Sequence, residues 1–101
     1  MTGKQTEGKP KLSLVPSEII YAISAIREYG VKKYKDPENW KTVPIEEYHE
    51  ALLRHTEAIR GNLYALDKES GMPHLWHIAC NTAFIIEMAQ SGKQVTATED
   101  E

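Results

Sequence analysis

Cysteine is almost missing from this sequence. Cys80 stands alone, so no internal disulfide can form, and a reduced, cytoplasmic setting is the expectation. No apolar run approaches the roughly 20 residues that span a bilayer, and Met1 to Lys11 are polar and lack a signal-peptide core, so no membrane partner is expected. There is no excess of positive charge either. A net charge of -3 gives no general pull toward a nucleic acid polymer or an acidic lipid surface. Strand-like alternation of useful length, internal repeats and low-complexity segments are also lacking. With 41% hydrophobic residues in 101, the chain makes one domain with a small core.

What remains is helical pattern. Residues 1–10 read as a flexible arm, 11–93 as the working helical domain, and 94–101 (QVTATEDE) as a disordered acidic tail. Lys11 to Pro16 reads as extended, because Pro16 disfavours helix at Val15. Ser17 is a good N-cap, and Ile19, Ile23 and Ile26 follow at helical spacing. Gly30 is expected to stop this helix, with continuation through Tyr34 as the alternative. Lys35 to Trp40 reads as a turn.

Pro44 suits the first turn of a second helix. Along it Ile45, Tyr48, Leu52, His55 and Ile59 repeat at spacings of 3 and 4, a packing seam with a histidine inside it. This helix is expected to end at Gly61-Asn62 or to run on to Leu66. Pro73 opens a third helix that runs to about Gln90. On a helical wheel His74, His77, Asn81, Ile85 and Met88 share one face, while Trp76, Cys80 and Glu87 point the other way. The fold class is therefore all-α, a small bundle of three main helices with an extended N-terminal segment. Three short helices bury little alone, so a homo-oligomer, dimer or tetramer, is expected to complete it.

Polar groups inside apolar stripes carry the chemistry, since burying them costs free energy unless a partner or a ligand satisfies them. His74 and His77, at i and i+3, can share a metal ion, and His55 on a facing helix can complete the set. A hydrogen-bonded polar network of the same histidines is the competing reading. Imidazole suits zinc, cobalt, nickel, manganese or iron better than calcium. Glu46, Glu47 and Glu50 spell EExxE, but the wheel puts them off the seam, as a solvated acidic first turn. Arg27, beside the apolar face of the first helix, is the best phosphate contact among the scattered cations. Trp40 is either a lid over the core or a stacking surface for a flat ligand.

Taken in order, six short blocks add a resemblance. They are Lys9 to Pro16; Arg27-Glu28-Tyr29-Gly30 with Lys33-Tyr34; Asn39-Trp40-Lys41; Leu52-Leu53-Arg54-His55; Asp67 to Gly71; and Pro73-His74-Leu75 with His77 and Asn81. Over about residues 9 to 90 the chain resembles the small phage and prophage family named for the N-terminal domain of dATP/dGTP diphosphohydrolase. That family looks like a divergent relative of the MazG-type all-α pyrophosphohydrolases. Those enzymes hold magnesium with EExxE and ExxD on successive helices and release monophosphate and pyrophosphate. Here His74-Leu75-Trp76-His77 stands where ExxD is expected, which removes two carboxylates from a site for a hard ion.

The resemblance implies a purine (deoxy)nucleotide as ligand and a divalent metal, magnesium, manganese, cobalt or zinc, as cofactor. On the enzyme reading, His55, His74 and His77, already grouped by their spacing, hold the metal. Arg27, Lys33, Tyr34, Trp40, Arg54 and Asn81 fall to the substrate, with Asn81 orienting a group behind the metal. The resemblance leaves two functions to weigh: a metal-dependent nucleoside triphosphate pyrophosphohydrolase, or a phage protein that sequesters a nucleotide or a nucleotide-derived defence signal without cutting it. Family members carry a further region beyond this domain, and part of the hydrolysis in the family's name is expected to belong to it.

Overall fold

A computed structural model of the chain describes residues 7–91; the acidic tail and the first residues of the arm lie outside them. Three helices carry the fold: α1 (Glu18–Tyr34), α2 (Ile45–Ala58) and α3 (His74–Gln90). Among the described residues there is no strand, only an isolated antiparallel bridge between Leu66 and Pro73. The all-α expectation is met. No helix among these residues is long and apolar enough to cross a membrane.

The centre is α3, which packs against both α2 and α1. Its sequence explains the position. Leu75, Trp76, Ile78, Ala79, Cys80, Ala83, Phe84 and Ile85 place apolar groups nearly all round the helix, and such a helix belongs inside. The expectation that Cys80 faces outward is therefore corrected: at 2% exposure it is the most buried side chain described. A wheel drawn for one buried face fails when a helix is covered on two sides. Trp76, on the same side, meets the edge of Tyr21 of α1, ring centroids 5.9 Å apart. Ala22 and Ile26 of α1 are the other buried apolar residues.

Local boundaries differ from the reading in four places. Leu12–Leu14 form a single 3-10 turn, with only the flanking Lys11 and Val15 extended; the Leu14 and Val15 amides bond back to Lys11 and Leu12. Ser17 does precede α1, but its own backbone is already helical and its hydroxyl makes no cap bond. The Pro16 carbonyl has begun the winding by accepting from Ile19. Gly30 does not stop α1, which continues to Tyr34. Lys35 turns left-handed there (φ 63°), its amide bonding to Val31, and Asp36-Pro37 bars further helix. Last, α2 stops at Ala58, short of Gly61. The Asn62 side chain accepts from the Tyr64 amide at 3.1 Å, a local turn that competes with helix.

The seam predicted for α2 is seen: Ile45, Tyr48, Leu52, His55 and Ile59 are all half-buried. The core is nonetheless small. Leu12, Leu14, Ile20 and Tyr21 are among the large apolar side chains left exposed.

Candidate functional site

The connection from α2 to α3 folds back on itself and so sets the site. The Asp67 amide donates to the Met72 carbonyl at 2.8 Å, and the Gly71 amide donates to the Asp67 carbonyl at 2.7 Å. Gly71 supplies the positive φ (77°) that this tight turn requires. The His74 amide donates to Ala65, tying the turn to the start of α3. Asp67 is thereby held against the first turns of α3, beside His74 and His77.

Within the turn, Asp67 Oδ2 accepts from both the Ser70 amide (2.8 Å) and the Ser70 hydroxyl (2.9 Å). Ser70 Oγ lies 2.7 Å from His77 Nε2 and accepts from the Met72 amide. A hydroxyl has one proton, and Asp67 takes it, so His77 Nε2 is the donor to Ser70. The chain of bonds thus fixes the tautomer of His77. Asn81, one turn on, donates to the His77 backbone carbonyl at 3.0 Å.

His55 of α2 completes the group. Its ring stacks on that of His77, centroids 4.5 Å apart at 7°, and its Nδ1 lies 2.8 Å from Nδ1 of His74. The structure thus brings His55, His74 and His77 together. It adds Asp67: one ligand atom each from His55, Asp67 and His74 lie within 4.8 Å of one another. Burial, with repulsion from the neighbouring histidines, pushes the His55 imidazole below its ordinary value; burial does the same to His77 against the pull of Asp67. Burial alone would raise the Asp67 carboxyl, but the two Ser70 bonds and the adjacent His77 and His55 together hold it down. Near neutral pH the cluster therefore presents His55 and His77 as neutral imidazoles beside an ionised Asp67 carboxylate.

Beside this cluster opens a cavity of about 360 Å³, walled by α1, the 3-10 turn Asn39–Thr42, α2, α3 and the α2–α3 connection. Arg27, Gly30, Lys33 and Tyr34 line it from one face of α1, at i, i+3, i+6 and i+7, each three or four residues from a helix neighbour. An aromatic wall lines it as well. The Trp40 indole stacks on Phe84 (4.8 Å, 12°), and Tyr48 tilts against the same ring at 4.7 Å. Tyr48 donates to the Trp40 carbonyl at 2.6 Å, and burial pushes its phenol up to about 12. The Arg27 guanidinium lies 5.6 Å above Phe84 and donates to the Pro37 carbonyl. Lys33 pairs with Glu69 at 2.5 Å, linking α1 to the α2–α3 connection. That bond raises the Lys33 ammonium, and Lys33 with Tyr29 holds the Glu69 carboxyl down.

Of the residues expected to meet substrate, Arg27, Lys33, Tyr34, Trp40 and Asn81 line this cavity, and Arg54 does not. One face of the Trp40 ring is already taken by Phe84. His55, Asp67 and His77 line the cavity; His74 does not. Asp67, Tyr48 and Phe84 also belong to the site, although the sequence places Tyr48 only in a packing seam and Asp67 only in a connection. Asp67 had a usable signal, since Asp-x-x-Ser-Gly is turn chemistry that aims a carboxylate back at its own backbone.

A magnesium site of the MazG type does not fit these residues. Of Glu46, Glu47 and Glu50, only Glu47 borders the cavity. Among the described residues the single group of three convergent ligands is the one with two imidazoles, a poor match for a hard, oxygen-seeking ion.

Fold and cavity together define a small all-α protein with a cationic and aromatic pocket at a histidine–aspartate cluster. The chain belongs to the dATP/dGTP diphosphohydrolase N-terminal family, whose sequence model matches residues 1–98. No curated protein and no solved structure matches it.

Proposed function

We propose that this domain captures a phosphorylated purine nucleotide in the cavity and holds it intact. The carrying observation is that two cations and an aromatic wall line one space of about 360 Å³. Arg27 and Lys33 offer charge-assisted donors to phosphate oxygens, while Trp40 and Tyr34 offer flat apolar surface to a base. Family membership supports a purine deoxynucleotide as the ligand class. The lack of a carboxylate set for magnesium among the described residues favours holding over cutting.

Hydrolysis to monophosphate and pyrophosphate is the second reading, favoured by the family description and by the histidine–aspartate cluster at the cavity. The exposed apolar side chains of the N-terminal segment and α1 support pairing with a second copy, which sedimentation measures against the 11.5 kDa monomer.

Both readings meet in one experiment. The full chain is mixed with dATP, dGTP and cyclic dinucleotides, with and without magnesium, manganese, cobalt or zinc. The nucleotide recovered after denaturing the protein is analysed by chromatography. Ligand depleted from solution and returned intact, with depletion lost in Arg27→Ala, is the expected result. Monophosphate and pyrophosphate released over many turnovers overturns holding in favour of hydrolysis, and no depletion with any nucleotide overturns both.

A further inference from the structure

We infer that His55, Asp67 and His74 form a binding site for a borderline divalent transition metal of the zinc and cobalt class, with Ser70 and His77 positioning Asp67 around it. The inference deepens the second reading of the cavity, on which its catalytic meaning rests, but metal binding itself needs no nucleotide.

Three observations carry it. First, the Nδ1 atoms of His55 and His74 face each other at 2.8 Å across two helices, half-buried. One proton shared between the two nitrogens, donated by one and accepted by the other, makes this contact. A metal ion would take the place of that proton and accept a lone pair from each ring. Zinc–nitrogen bonds of roughly 2.0–2.1 Å place two tetrahedral ligands about 3.3 Å apart, so seating the ion asks this pair to open by about half an ångström.

Second, Asp67 brings a ligand atom within 4.8 Å of both histidine nitrogens from a different segment of the chain. Both Ser70 bonds fall on Oδ2, which leaves Oδ1 without a hydrogen bond among the described residues. A carboxylate oriented through one oxygen and open at the other is how ligating carboxylates are commonly supported.

Third, His77 is engaged elsewhere. Its Nε2 donates to Ser70, and its ring lies flat against His55. It steadies two ligands from behind, through Ser70 to Asp67 and by stacking on His55. Two imidazoles and one carboxylate select zinc, cobalt, nickel or manganese over magnesium or calcium. His55 and Asp67 both border the cavity, so an ion held by them would lie at its edge.

The test uses the full chain freed of metal with a chelator and titrated with Co²⁺ in the absence of nucleotide. The expected result is one equivalent bound per chain, with the visible bands of a tetrahedral ion, and a rise in melting temperature. Asp67→Asn and His74→Gln should abolish those bands while far-UV circular dichroism shows intact helix. Ser70→Ala should keep the stoichiometry and weaken binding roughly 10- to 100-fold, as supporting partners do. His77→Gln should also retain binding. Bands lost in His77→Gln but kept in Asp67→Asn would overturn the assignment in favour of an all-histidine set. No Co²⁺ or Zn²⁺ bound by wild-type chain, read from equilibrium dialysis and from an unmoved melting curve, would leave a hydrogen-bonded network and overturn the site. Neither outcome bears on nucleotide depletion measured with chelator present.

Discussion

Replacing Phe84 by alanine should cost this protein about 2–3 kcal/mol and, with it, ligand capture. A fully buried phenylalanine cut to alanine typically costs about 3–5 kcal/mol. Phe84 is only half-buried, which lowers the transfer part. Its contacts restore some of the loss. It stacks with Trp40 at 4.8 Å and packs on Tyr48 at 4.7 Å, and each aromatic pair contributes about 0.5–1.5 kcal/mol beyond area. For a domain this size, 1 kcal/mol moves the melting temperature by about 4–8 °C, so a fall of roughly 10–20 °C is expected. The assay is thermal denaturation followed by circular dichroism at equal chain concentration, alongside Trp40 fluorescence. Phe84→Leu should recover about half the stability while leaving the indole without a flat partner. A loss under about 1 kcal/mol in Phe84→Ala would refute the reasoning, because the aromatic wall would then not be part of the fold's support.

Gly30→Ala should do the reverse for stability. The added Cβ meets only the Arg27 Nη1 atom at 4.0 Å, so α1 should gain about 0.5–1 kcal/mol while the cavity narrows and nucleotide binding weakens; a destabilised variant in the melting assay would argue against it. Cys80, pushed up to about 11 by burial, should be inert to thiol reagents at about pH 8 until the chain unfolds; rapid labelling of native protein would contradict its placement. In chelator, acidification should destabilise the fold. Burial pushes His55 and His77 below the ordinary value of 6.5, so the unfolded chain binds protons first as pH falls. Their contribution is complete above that value and is lost on going down through it; a melting temperature that rises from about pH 7.5 to about pH 5.5 would reverse the sign and sink the argument.

Periodicity made much of this legible. The α2 seam with His55 inside it, the opening of α3 at Pro73 and the placing of His74 and His77 on one face all follow from spacing, and together they bring three histidines within reach. What periodicity cannot carry is the fold of a connection. Asp67 reaches the cluster because the chain reverses between Ala65 and His74 on bonds among its own backbone groups, which no wheel describes. Cys80 was misplaced for a related reason. Whether a helix is covered on one side or two depends on its neighbours, and the clue was α3 itself, apolar nearly all round. Gly30 misled because a helical glycine looks like a stop; here the stop is the left-handed Lys35 before Asp36-Pro37.

The walls of the cavity are also the core. Ile26, Cys80 and Asn81 are among the few buried residues of the described chain, and all three line the pocket. In most enzymes the site is a small blemish on a much larger interior; here there is little interior apart from it. A ligand at a hundredfold above its dissociation constant adds about 2.7 kcal/mol to the folded state. A small domain has roughly 5 kcal/mol in all, so occupancy could raise its stability by about half. Half-life in a protease-rich cell would then report how much ligand the cell contains. On the proposed reading an empty chain would be cleared while a filled one persisted, and abundance itself would become a record of capture.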